Sequence, residues 1–267
     1  MKSTTDAWVL PAASLALGRQ RRQAKYASGF FLAHFWFPLV AFAVLLAVAT
    51  LGQGDRWLAD RIYGLEGHAW TLRHAYLTEQ LAHAAGRGIS AAAWLLVLIA
   101  WLASLASSRW SRFRLPLAYL LLATLLSAAL VAWIKMWSNM DCPWDLVRYG
   151  GDRPYVGLFD LRPQGLGRGR CFPAGHASSG YAWLALYFFF SYVRPRWRWA
   201  GLAMGAGLGL AFGISQQLRG AHFLSHDLWT IALCWTTALA LRPAFLGRMP
   251  PQRHAVAFAR RIPGRPG

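Results

Sequence analysis

The chain is short of charge and shorter still of acid: charged residues make up 14% of its 267 positions, and ten Asp/Glu stand against 28 Lys/Arg. With 56% of the residues in the hydrophobic set, that scarcity excludes an ordinary soluble domain. Little sequence remains between the apolar runs, which leaves no room for a second folded domain. A compact Cys/His ligand motif is lacking, so neither zinc nor any other metal or cofactor is expected. The first 29 residues lack the order of a secretory signal. Their apolar part, "AWVLPAASLALG", is short, contains Pro11 and precedes its basic cluster, so an interfacial helix is the reading there.

What the chain does have is long apolar runs. A helix needs roughly 20 apolar residues to cross the hydrocarbon. Six runs qualify, at 30–52, 88–108, 115–136, 176–194, 198–218 and 227–246. The expectation is an all-α integral membrane bundle of six transmembrane helices over 30–246, with an N-terminal segment at 1–29 and a basic tail at 247–267. Charge then sorts by side. Residues 1–29 and 242–267 and the loops at 109–114 and 194–198 carry 17 of the 28 Lys/Arg but only Asp6 among the acids. The other nine acidic residues lie on the opposite side, which is the positive-inside pattern. Both termini are therefore expected in the cytoplasm of a bacterial inner membrane. A nucleic-acid arm is the rival reading of "GRQRRQAK" and "FARRIPGRPG"; the split of charge favours the bilayer and no nucleic acid as partner.

The expected outer face carries the long loops. Residues 53–87 read as an interfacial amphipathic segment, with Trp57, Leu58, Ile62, Tyr63, Leu65, Trp70, Leu72 and Tyr76 among polar residues. The stretch at 137–175 is too polar for lipid and too long to be only a connector. The turn "RGAHFLSH" completes the set, and His176, His222 and His226 all fall on this side. Gly201, Gly205, Gly209 and Gly213 recur every four residues, a stripe that lets helices approach closely. Trp133, Trp137, Trp144 and Trp229 read as interfacial belt residues.

Three short motifs stand out in order: Lys135 with Cys142-Pro143 seven positions on, then Pro173-Ala-Gly-His176, then "SQQLRGAHFLSHD" at 215–227. Order and spacing resemble the type 2 phosphatidic acid phosphatase superfamily of membrane lipid phosphatases over about 115–246. The family pattern is Lys, six residues, Arg-Pro; Pro-Ser-Gly-His; then Ser-Arg, five residues, His, three residues, Asp. Here Cys142, Ala174, Gln216 and His226 replace family residues.

The resemblance implies phosphate removal from a membrane lipid phosphate, with lipid A, undecaprenyl diphosphate and phosphatidylglycerophosphate as candidate substrates. It implies His222 as the nucleophile that becomes phosphohistidine, and His176 as the acid and then the base. It implies His226 or Asp227 as the acceptor that orients the His222 ring. Lys135, Arg219, Gly175 and Arg170 are the candidate phosphate ligands, with Arg148, Arg153, Arg162 and Arg168 crowding the same loop. Two other readings stay open: a lipid phosphotransferase on the same scaffold, and a catalytically silent lipid-binding or transport protein. Of the three cysteines, Cys234 lies mid-helix, while Cys142 and Cys171 each abut a family motif in the outer loop. In an oxidising periplasm those two are expected to pair.

Overall fold

The computed structural model describes residues 28–76, 78, 86–158 and 160–247. The interfacial segment expected at 1–29 and the tail at 247–267 therefore lie almost entirely outside the described residues. Met1–Ala43 and Val44–Gly267 form two compact units. Helix α1 runs Ser28–Thr50 and opens through a π-helical turn at Leu32–Trp36.

All regular structure from Val44 onward is helical among the described residues, apart from one isolated bridge between Leu146 and Arg153. The elements are α2 (Gly54–Leu65), α3 (Gly86–Ala106), α4 (Arg114–Trp137), α5 (Gly175–Tyr181), α6 (Ala185–Val193), α7 (Arg198–Leu218) and α8 (Leu224–Phe245). The long helices are runs of Ala and Leu, good helix formers; Pro116 is confined to the first turn of α4, where its missing N–H costs nothing. Among the described residues, four helices are long and apolar enough to cross a membrane: Ser28–Thr50, Gly88–Ala106, Ser108–Trp137 and Leu224–Phe245. They mark a multi-pass membrane protein. Leu96, Ile99, Leu122, Leu125, Leu210 and Ile214 are exposed, as lipid-facing residues are.

The two remaining runs differ from an uninterrupted span. Residues 175–193 are broken by a 3-10 turn at Ala182–Leu184 into the short helices α5 and α6. Helix α7 has the length, but its glycines dilute its apolarity. Those glycines work in packing. A Cβ on Gly205 would meet the Leu184 backbone at 2.4 Å, one on Gly201 the Leu186 carbonyl at 2.8 Å, and one on Gly209 the Tyr181 ring at 1.9 Å. On the facing helix, a Cβ on Gly180 would stand 2.3 Å from the Gly209 nitrogen. Backbones thus approach closely at Gly180, Gly201 and Gly205, and the Tyr181 ring lies flush on Gly209.

Polar bonds pin the other pairs. Tyr119 of α4 donates its hydroxyl to the Ala238 carbonyl of α8 at 2.9 Å. Trp183 donates to Ser90 at 2.9 Å, and Ser90 in turn to the Ser179 carbonyl at 2.8 Å, which ties α5 to α3. Cys234 is buried among Ala174, Ala177, Tyr181 and Leu184.

Candidate active site

Four helix ends converge at one end of this bundle. Lys135 sits in the last turn of α4, His176 in the first turn of α5, His222 in the turn after α7, and His226 in the first turn of α8. Backbone bonds fasten the intervening segments. Trp144 N–H donates to the Gly220 carbonyl at 2.9 Å, and Cys171 N–H to the Met140 carbonyl at 3.0 Å. Ala174 N–H donates to the Thr230 hydroxyl at 3.0 Å, and that hydroxyl donates to the His226 carbonyl at 2.8 Å. Thr230, absent from the sequence reasoning, thereby locks the Pro-Ala-Gly-His turn onto α8.

His222 is 4% exposed, and its Nδ1 lies 3.3 Å from Nδ1 of His226. His226 is fully buried, with Phe172 and Phe223 packed edge-on against its ring. Burial pushes the His222 imidazole well below its ordinary pKa, and the neighbouring His226, Lys135 and His176 push it further the same way. Its ring is therefore neutral at neutral pH, the state a nucleophilic nitrogen needs. Lys135 reaches over Gly175, where a Cβ would stand 3.5 Å from Nζ.

Asp227 goes elsewhere. Its carboxylate Oδ2 accepts from the Gln217 amide of α7, because one further residue turns the side chain about 100° around the helix. Of the two candidate orienters, His226 is thus the one brought to His222. Arg219 is buried at the end of α7, and its Nε donates to the Arg73 carbonyl at 2.8 Å. Arg170 is exposed one residue before Cys171.

The crowding arginines of the loop are engaged in building it. Arg153 and Arg162 both meet the buried Asp141 carboxylate, at 2.6 and 2.8 Å. Arg168 donates to the Met136 carbonyl at 2.5 Å. Arg148 forms a two-bond fork on Asp60 of α2, at 2.8 and 2.6 Å, and holds that carboxyl below the usual carboxylate range. Their role is to fix the loop over the site and to tie it to α2.

Cys142 and Cys171 form a disulfide with Cα atoms 5.2 Å apart, joining the residue after Asp141 to the start of the Phe-Pro-Ala-Gly-His turn. Asp145 stands near the same two sulfurs, a set of metal-ligating types. With the sulfurs bonded to each other, no thiolate is available there to a metal. A second residue that the motifs do not reveal is Asp55 of α2. It is buried and accepts from Ser225 N–H at 2.8 Å, capping the start of α8 from another helix. Burial raises its pKa, opposed by the hydrogen bonds from Ser225.

A buried, neutral histidine paired with a second histidine, beside a lysine at a helix end, is an arrangement whose charge suits an anionic group. The model of the PAP2 superfamily matches residues 116–250, just over half of the chain and all of the converging helix ends. The chain belongs to that superfamily, whose members are phosphatases, which places it among phosphoester hydrolases. No curated protein and no solved structure matches it.

Proposed function

We propose that the protein is a metal-independent lipid phosphatase of the bacterial inner membrane. It spans the bilayer six times, with α5–α6 and α7 as the two further spans, both termini in the cytoplasm and the histidines facing the periplasm. The reading is carried by the 3.3 Å pairing of His222 with His226 beside Lys135. With its Nδ1 proton directed at His226, His222 presents the lone pair of Nε2 to phosphorus. The N–P bond forms as the bond from phosphorus to the leaving oxygen breaks, and His176 gives its proton to that oxygen, which departs as an alcohol from a monoester or as a lipid phosphate from a diphosphate. His176 then takes a proton from water, whose oxygen displaces His222 and releases inorganic phosphate. Lys135 and Arg219 neutralise the phosphoryl oxygens, with Gly175 beside them. Arg170 adds charge at the loop edge.

Lipid A and undecaprenyl diphosphate are the preferred substrates, since both present phosphate at headgroup level on an apolar anchor. A phosphate-release screen of the purified protein against lipid A, undecaprenyl diphosphate and phosphatidylglycerophosphate, with and without EDTA, tests this. Release from at least one lipid, unaffected by EDTA, is expected. Transfer to a second lipid without free phosphate, or activity that needs added metal, contradicts it.

A further inference from the structure

A cavity of about 460 Å3 lies between α2, α7 and α8, away from Lys135 and His176, walled by Leu58, Ile62, Leu210, Ile214 and Ile231. Tyr181 of α5, Gln217 and Asp227 interrupt that apolar lining. Asp227 is 4% exposed; its Oδ2 is held by Gln217, and its Oδ1 has no hydrogen-bond partner. The fold makes room for this carboxylate, since a Cβ on Gly213 would stand 2.6 Å from Oδ2. Leu58, Ile62, Gln217 and Leu224 also wall the narrow crevice that reaches His222, so the two spaces adjoin.

A buried oxygen without a donor is costly, and an almost wholly apolar cavity offers a water too few partners to settle there. An occupant that brings both an apolar chain and one donor satisfies the wall as it stands. A phosphate is costly to bury against an apolar wall, whereas a single hydroxyl pairs with the Asp227 carboxyl. We infer that this cavity binds a long-chain lipid alcohol, its hydroxyl on Asp227 and its chain against Leu210 and Ile214. The inference is independent of the phosphatase reading and rests on the cavity and its unpartnered carboxyl oxygen alone.

Photolabelling of the full chain in nanodiscs with a diazirine-bearing hexadecanol tests it without any reference to turnover. Label is expected on the α7 and α8 segments around Leu210, Ile214 and Ile231. Excess hexadecanol should reduce it at least tenfold, and hexadecyl phosphate at the same concentration should not. Ile214→Trp, which fills the cavity from its lipid-exposed side, should reduce it as strongly. Asp227→Leu should remove the advantage of hexadecanol over hexadecyl phosphate as competitor. Competition by hexadecyl phosphate equal to that of the alcohol, or labelling unchanged in Ile214→Trp, overturns the proposal. A chain that labels as expected yet releases no phosphate retains this site and loses the phosphatase reading.

Discussion

Truncating Asp141 should open the loop over the active site. Its carboxylate is wholly buried and carries two guanidinium groups, that of Arg162 8% exposed and that of Arg153 32% exposed. Removing one partner of a buried ion pair costs about 3–5 kcal/mol, because the other charge stays behind. Arg162 keeps carbonyl acceptors at Asn139 and Gly167, which puts Asp141→Ala at the low end of that range. The half-exposed pair with Arg153 adds at most about 1 kcal/mol. A loss of about 3 kcal/mol raises the open population of the loop about a hundredfold. Limited trypsin, at concentrations where cleavage follows the open population, reads this directly as nicking after Arg168. Asp141→Ala should be cut about a hundred times faster than wild type. Asp141→Leu combined with Arg162→Leu should recover most of the difference, because no charge is then stranded. Cleavage of Asp141→Ala at the wild-type rate would refute the view that this ion cluster holds the loop.

Other perturbations test separate links. Gly180→Ala drives a methyl into the Gly209 backbone, with no flexible side chain to yield; a cost of about 1–3 kcal/mol is expected in thermal unfolding in detergent, and an unchanged Tm contradicts the contact. Replacing Cys142 and Cys171 together by serine opens a loop of 29-residue separation; loop-closure arithmetic gives a loss of about 3–4 kcal/mol, read as a lower melting point that matches reduced wild type. The lowered pKa of His222 has a definite sign. Its neutral, nucleophilic form persists as pH falls below 6.5, so the acid limb of kcat/KM for phosphate release should lie below that value. An acid limb at or above it contradicts the burial argument.

The apolar runs announced most of the helices, because spanning length and lipid exposure are properties of composition alone. The glycine stripe of α7 was equally legible, since a four-residue period places it on one face. The break at Ala182–Leu184 was not, because those residues are as apolar as their neighbours and the turn serves the fit against Gly205. The loop arginines misled for a related reason. Charge can be counted in a sequence, but whether Arg162 meets a phosphate or the buried Asp141 depends on a fold around a residue 21 positions away. Asp55 was hidden in the same manner, since its partner Ser225 lies 170 positions on. The placement of His226 beside His222, with Asp227 turned toward Gln217, follows from one step of helix rotation, which spacing leaves open.

The most direct test of the central claim is a rapid-quench search for phosphohistidine. His176→Ala, given an aryl phosphate whose leaving group needs no proton, should still be attacked by His222 but should hydrolyse the intermediate slowly. Acid-labile, base-stable phosphate should then accumulate on His222 and be located there by mass spectrometry, and His222→Ala should carry none. Absence of phosphohistidine in His176→Ala, together with continued phosphate release by His222→Ala, would contradict the account.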